Sequence, residues 1–366
     1  MIPKKILVAM SGGVDSSVAA ALLKEQGHEV AGATIRTWMP GECAGRPNRS
    51  CCGLEGVEDA REVAEELGIR HWVFNFEKEF KESVMDAFAR EYLAGRTPNP
   101  CILCNEHVKF ELFWRRAREL GFDDMATGHY ARVDRDENRK AYYIGEAKDI
   151  AKDQSYVLFP LSQELLAHLH LPLGGLTKTE IRAMARQRHL KVWEKADSQE
   201  ICFVPDDDYG GFILKHYLDG QNRPGVVRMK DGRVLGNHQG FFHYTRGQRR
   251  GLKIAHRERL YVLDTNPEKN EVTVGAKADT FSDRCKVGGI RWFLSPDFSS
   301  GPVCLHVKIR SLHRKTPAEI RLLSNGAAEV FFKEPQDSVT PGQAAVFYRD
   351  GRVFGGGWIE EVSHGG

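Results

Sequence analysis

The chain has no long apolar run. Residues 6–10 form the first such run, far too short for a signal-peptide core or a membrane span, and no later one is long enough either. The expectation is a soluble, cytoplasmic protein with no membrane partner. Nor is there an excess of charge of one sign: 52 basic and 50 acidic residues leave +2, so any contact with nucleic acid must come from a local patch. A second C-x-x-C, which a zinc ribbon requires, is missing, and no lysine follows the first glycines as a Walker loop requires. Repeats and low-complexity tracts are absent too.

What is there is a 366-residue chain, 41% apolar, long enough for two or three domains. Over residues 5–127 short apolar runs alternate with helical periodicity, the pattern of a parallel sheet covered by helices. It predicts strands at 5–9, 30–35, 71–76 and 124–127, and helices at 16–26, 57–67, 78–93 and 109–120. Pro98 and Pro100 remove amide donors and restrict the residues before them, so 95–100 is expected to be a rigid loop. The texture changes after about residue 204, and residues 207–280 are mixed. Beyond about 286, strands expected at 303–310, 318–323, 328–332, 344–348 and 353–359, with turn signals such as Ser324-Asn325-Gly326 between them, read as a small antiparallel barrel.

Ser11-Gly12-Gly13-Val14-Asp15-Ser16-Ser17 lies between the first strand and the first helix. In that position a glycine turn lets backbone N–H groups converge on an anion at the helix's positive end. Without the Walker lysine, chemistry elsewhere on ATP is favoured over γ-phosphate transfer. The plain alternative is a glycine turn with Asp15 or Ser16 as a helix cap. Cys101-Ile102-Leu103-Cys104 follows the proline-fixed loop and is expected to precede a helix, whose terminus, with Lys109, would lower a thiol's pKa. Cys202 is far along the chain, so only the fold could bring it to the other two. Taken alone, the C-x-x-C could equally be half of a zinc site, a thioredoxin-like pair or two buried small residues.

The seven-residue loop resembles the S-G-G-x-D-S motif of the PP-loop ATP pyrophosphatases, which implies adenylation of a substrate oxygen. Taken with residues 95–105, Thr127-Gly128-His129-Tyr130, Lys152-Asp153-Gln154-Ser155-Tyr156, residues 197–203 and Gly247-Gln248-Arg249, nearly the whole chain resembles the tRNA-specific 2-thiouridylases. The fold expected is α/β: a parallel-sheet PP-loop nucleotide-binding domain, adenine nucleotide alpha hydrolase-like, over 1–205. A small mixed linking domain over 206–280 and a C-terminal antiparallel β-barrel over 281–366 would follow.

The resemblance implies ATP and Mg²⁺, the anticodon loop of a tRNA as partner, and a sulfur source. That source would be a protein such as a cysteine desulfurase or sulfur relay, or inorganic sulfide. It implies that the wobble uridine's C2 oxygen is adenylated and that sulfur carried as a persulfide on Cys202 displaces AMP. Cys104 would release the sulfur and end in a disulfide with Cys202. Carried over residue by residue, Ala9, Met10, Ser11, Gly12, Gly13, Val14, Asp15 and Ser16, with Ile35 and Gly128, match the ATP site. Asp15 also counts as catalytic, with Cys101, Cys104 and Cys202. Asn99, Pro100 and Cys101 match positions that meet the target base, and His129, Lys152, Asp153, Gln154, Arg310, Ser311 and Gln343 match tRNA contacts.

Two positions depart from the family pattern. Many relatives have aspartate where this chain has Cys101, which makes Cys101, Cys104 and Cys202 a three-thiolate set for a [4Fe-4S] cluster and a cluster-dependent mechanism a rival to the relay. Relatives often carry an aromatic residue where Ser311 stands, and its loss would weaken stacking on a base. Arg246, Arg249, Arg250, Lys253, Arg257 and Arg259 crowd one stretch that suits phosphate contact, though such stretches are more often a solvated face. Cys51 and Cys52 read as a loop feature, and Cys43, Cys285 and Cys304 as structural thiols. Two other functions compete: another adenylating ligase with the same loop, such as an amide-forming synthetase, and a non-catalytic RNA-binding protein on a relic nucleotide fold.

Overall fold

The first apolar run forms β1 (Lys5–Ala9), in which Ile6, Leu7 and Val8 have no exposed surface. A strand apolar on both faces belongs in the middle of a parallel sheet. In the computed structural model, which describes residues 2–37, 54–195, 201–252 and 254–363, β1 is the central strand of five. From it run α1 (Val14–Glu25), β2 (Glu29–Arg36), α2 (Leu54–Glu66), β3 (His71–Asn75) and β4 (Asp124–Thr127). The order across the sheet is β3, β2, β1, β4 and the short strand Leu169–His170, with every pairing parallel. Val14, Val18, Ala19 and Leu23 of α1 share one core with Ile6 and Val8 and with Ile181 and Ala185 of the helix Lys178–Gln187.

Contacts divide the chain into two units. The first holds Met1–Val84, Cys101–Phe203 and Asp350–Phe354, and the second Met85–Pro100, Val204–Arg349 and Gly355–Gly366. The sheet and its helices make up the first. In the second, the helix Tyr209–Tyr217 is capped by Asp208, which accepts from the Gly211 N–H at 2.9 Å. Tyr209 stacks on Tyr92 at 4.8 Å, Phe212 meets Phe88 edge-on, and the Tyr217 hydroxyl donates to Asp86 at 2.7 Å. A four-stranded sheet follows, in the order Tyr261–Asn266, Glu271–Gly275, Gly225–Met229, Val234–His238. The C-terminal strands then form an antiparallel barrel of six.

The expected α/β architecture with a C-terminal barrel is therefore present. One barrel strand went unread: Phe281–Trp292, which closes the ring by pairing with Arg352–Ser363. Its paired glycines and two register shifts break the alternation that a sequence pattern relies on. The predicted helix at 109–120 also starts earlier. Helical backbone begins at Pro100, where a missing N–H costs nothing at a first helical position, and runs through a π-helical stretch, Cys104–Leu112, to Glu119. The C-x-x-C thus lies inside the helix and not ahead of it, with Cys101 in the first turn. A second π-helical stretch, Lys81–Met85, interrupts the helix predicted at 78–93. No helix among the described residues is long and apolar enough to cross a membrane.

Candidate active site

β2 lies on one side of β1 and β4 on the other, with Ala9 level with both Ala33 and Thr127. Strand order reverses there, and in open α/β sheets ligands bind outside the carboxyl ends of the strands at such a point. The loop after β1 and the Gly128-His129-Tyr130 turn after β4 both leave from that edge, and Ile35 lies one residue before the end of β2. The loop residues 9–16 and Gly128 are thus neighbours, and Ile35 lies on the adjacent strand toward the same sheet edge.

The local geometry accounts for the glycines. Gly12 has φ +69°, and a Cβ on it would stand 2.2 Å from the Gly56 carbonyl oxygen. A Cβ on Gly128 would stand 2.7 Å from the Ser16 nitrogen. Inside the turn, the Ser16 hydroxyl accepts from the Ser11 N–H at 3.1 Å and donates to the Gly13 carbonyl at 3.2 Å, while Ser17 donates to the same carbonyl at 2.9 Å. The cap residue of α1 is Gly13, which has no side chain to satisfy the first N–H groups.

Asp15, in the first turn of α1, holds two partners. The Tyr130 hydroxyl donates to it at 2.6 Å, and the Lys178 ammonium reaches both carboxylate oxygens at 2.8 and 2.9 Å. Lys178 opens the helix Lys178–Gln187, whose start is set by a reciprocal capping box of Thr177 and Glu180, with Lys148 pairing to Glu180 at 2.8 Å. Neither Tyr130 nor Lys178 was assigned a role from sequence. The signal was there: Thr177-x-x-Glu180 marks a helix start, and a lysine at its first position opposes the helix dipole.

Around this edge the other expected residues have mixed surroundings. His129 shares a 2.8 Å hydrogen bond with Thr127, and burial, then the Lys109 cation, bring its pKa down to about 3. It is neutral at pH 7 and can offer hydrogen bonds but no charge. Gln154 exchanges hydrogen bonds with the Tyr130 backbone at 2.9 and 2.8 Å, and Asp153 accepts from Ala147 N–H and the Ser155 hydroxyl at 3.0 and 2.7 Å. Both side chains shape the loops at the sheet edge. Lys152 is half-buried.

Cys101 is exposed, Cys104 is buried and Cys202 is half-buried, and all three are thiols, so the disulfide expected between Cys104 and Cys202 is not formed here. Phe203, beside Cys202, is anchored edge-on against Phe80 at 5.6 Å. Among the described residues no three His, Cys, Asp or Glu side chains come together to hold a metal ion. Burial pushes the Cys285 thiol up to about 12, as suits a structural role, whereas Cys304 is exposed. Cys43, Cys51, Cys52, Lys253 and residues 197–200 lie outside the described residues.

In the second unit the loop at 95–100 is pinned as its prolines led one to expect. The Gln343 amide donates to the Thr97 and Pro98 carbonyls at 3.0 and 3.1 Å, Thr97 N–H donates to Pro341, and Thr265 donates to the Gly95 carbonyl at 2.9 Å. Gln343 is thereby tied to the two residues that precede Asn99. Arg310 donates to the Asp337 carbonyl at 3.2 Å, and Ser311 is half-buried beside it. Of the basic stretch, Arg249, Arg250, Arg257 and Arg259 are exposed, whereas Arg246 is withdrawn, its pKa lowered by burial and partly restored by Asp264.

Family models match three consecutive stretches: a tRNA methyl transferase HUP domain over residues 4–206, a tRNA methyl transferase PRC-barrel domain over 212–276, and an aminomethyltransferase beta-barrel domain over 282–359. A Geobacter metallireducens protein named tRNA-specific 2-thiouridylase MnmA is 48% identical over 98% of this chain and 97% of its own length. One of the same name from Geotalea uraniireducens is 50% identical over 98% and 96%. The chain belongs to the tRNA-specific 2-thiouridylase family. Among solved structures, a U34-tRNA thiolase from Methanococcus maripaludis with its [4Fe-4S] cluster covers 60% of this chain and 67% of its own at 16% identity and a TM-score of 0.33, too remote to carry any inference.

Membership of the 2-thiouridylase family raises two groups, a magnesium nucleotide and an iron–sulfur cluster. The glycine loop, the uncapped first turn of α1 and the Asp15 carboxylate fit a magnesium nucleotide: backbone donors for phosphate and an acid for the cation. For a [4Fe-4S] cluster the described residues offer no group of three His, Cys, Asp or Glu side chains that could hold metal.

Proposed function

We propose that the chain carries out ATP-dependent 2-thiolation of the wobble uridine of tRNA, in the cytoplasm, with domain boundaries near 205 and 280. The observation that carries this reading is identity of 48% and 50%, over nearly the full length, to proteins named for that activity. The assembled loop at the sheet's switch point supports it.

Uridine's C2 oxygen is a poor leaving group. Attack of that oxygen on the α-phosphorus of ATP, held by residues 9–16 with Ile35 and Gly128, expels pyrophosphate and leaves AMP on O2, so that C2 becomes electrophilic. Mg²⁺, when bound next to Asp15, neutralises phosphate charge. The terminal sulfur of a persulfide on Cys202 attacks C2, and AMP departs with the original oxygen. The Cys104 thiolate then attacks the Cys202 sulfur, breaking the S–S bond to the transferred sulfur. The products are 2-thiouridine and a Cys104–Cys202 disulfide, which an external thiol reduces. The sulfur comes from a donor protein or a small persulfide. Asn99, Pro100 and Cys101 meet the target base, while His129, Lys152 and the Arg310–Ser311 loop hold the tRNA.

The test is to incubate purified protein with tRNA, Mg-ATP, a thiol reductant and a persulfide donor and to analyse nucleosides by mass spectrometry. Expected is 2-thiouridine at the wobble position from the wild type and none from Cys104→Ala or Cys202→Ala. An ammonia-dependent product that survives both substitutions would replace this reading by that of an amide-forming ligase.

A further inference from the structure

The sulfur-transfer steps use Cys104 and Cys202 and leave the Cys101 sulfur idle. Cys101 is exposed in the first turn of the helix that begins at Pro100. Cys104, three residues on in the same helical run, is only 8% exposed, and Cys202 is half-buried. Each turnover ends in a disulfide between these last two. A thiol reductant must reach one of the two sulfurs to attack it. The bond that has to be cleared before the next turnover is therefore poorly open to solvent, while a thiol that is open stands close by. Residues three apart in a helix share a face, with Cα atoms about 5 Å apart, inside the span that a disulfide bridges. Their Cβ atoms lie about 5–6 Å apart, against about 3.8 Å in a relaxed disulfide. A Cys101–Cys104 bond would thus be strained as well as exposed, and both make a disulfide easy to reduce.

We propose that Cys101 is the exit thiol of this site, carrying the disulfide left by each turnover from the Cys104–Cys202 pair to the exposed end of the helix. The Cys101 thiolate attacks the Cys104 sulfur, which forms a Cys101–Cys104 bond and expels Cys202 as its thiolate. An external thiol then attacks the Cys101 sulfur, and Cys104 leaves as its thiolate. A second external thiol attacks the mixed disulfide and frees Cys101. Two external thiols become one disulfide, and all three cysteines return as thiols. Cys202 is released in the first step, ready for the next persulfide before any reductant has acted. This rests on the persulfide reading above and adds a step to it. The aspartate that many relatives carry at this position could not perform that step.

The test uses glutathione as the reductant, on full-length protein that carries the Cys104–Cys202 bond. One turnover without reductant forms that bond, or diamide does so in a variant that makes no product. Samples are acid-quenched, alkylated and mapped by peptide mass spectrometry, with a melting curve for each variant. In the wild type the first glutathione adduct should form on Cys101, beside a transient Cys101–Cys104 bond. Adducts on Cys304, the other exposed thiol among the described residues, report background exchange with oxidised glutathione. Cys101→Ser should lose its Cys104–Cys202 bond about 10-fold more slowly, because a thiol held beside the bond outcompetes one from solution. If Cys101→Ser fails to melt cooperatively, Cys101→Asp takes its place and should be as slow. A first adduct on Cys202 or Cys104, or a bond lost as fast in the variant as in the wild type, would overturn the proposal and leave the proposed function standing. A wild type that makes 2-thiouridine while Cys104 and Cys202 remain thiols would sink the persulfide reading itself, and this inference with it.

Discussion

Replacing Gly128 by alanine adds one methyl group where the β4 loop crosses the start of α1. The added carbon would lie 2.7 Å from the Ser16 nitrogen, 2.8 Å from the Asp15 carbonyl carbon and 3.0 Å from the Ser16 Cα. Comfortable carbon contacts begin at about 3.5 Å. All three neighbours are backbone, so no side chain can swing away and the first turn of α1 must move. Overpacking of this kind costs about 1–3 kcal/mol, which lowers Tm by several degrees. The same displacement shifts Asp15 and the loop's donors, so ATP affinity should fall along with stability. Gly175→Ala is the control, because nothing lies within 4 Å of its added carbon. It should melt like the wild type or slightly higher, since alanine restricts the unfolded chain. The assays are differential scanning calorimetry and calorimetric ATP titration of both variants. A Gly128→Ala protein with wild-type Tm and wild-type ATP affinity, or a Gly175→Ala protein that loses as much, would refute the close approach.

Other outcomes follow from the same geometry. Thr177→Ala removes the capping box of the helix Lys178–Gln187 and should cost about 1 kcal/mol, read as a lower urea midpoint with unchanged slope. Burial pushes the Asp124 carboxyl up, but hydrogen bonds from His170, Lys4 and His168 outweigh it and hold its pKa at about 2 against 3.8 when unfolded. That contribution, about 2 kcal/mol, is complete above pH 4 and lost as pH falls toward 2, so Asp124→Asn should flatten the acid limb of a stability-versus-pH curve. Gln343→Ala severs two hydrogen bonds to the 95–100 loop, and turnover on tRNA should fall while Tm changes little. Cys202→Ser should abolish thiolation yet leave ATP binding and Tm intact, as checked by nucleoside mass spectrometry and calorimetry.

Much of the first unit could be read from periodicity, because a strand buried on both faces has no polar residues to disguise it. The strand at 5–9 and the turn at 12 follow from apolar continuity and two glycines. The rigid loop at 95–100 was legible from its prolines, although its brace, Gln343, lies so far along the chain that no local pattern could link them. Asp15 was visible as an acid in a motif, but its partners Tyr130 and Lys178 come from two other elements, and only the fold sets them beside it. The π-helical stretch at Cys104–Leu112 escaped because side-chain spacing encodes the ordinary helical period, and the extra residue per turn leaves no mark in composition. Strand 281–292 escaped for the bulges and glycines already noted.

The central chemical claim is that ATP activates the oxygen that sulfur replaces. It is tested most directly by tRNA whose wobble uridine carries ¹⁸O at C2, treated with the protein, Mg-ATP and a persulfide, followed by mass spectrometry of the nucleotide products. The expected result is one ¹⁸O atom in AMP for each 2-thiouridine formed. Recovery of the label in water, or in inorganic phosphate with conversion of ATP to ADP, would contradict it.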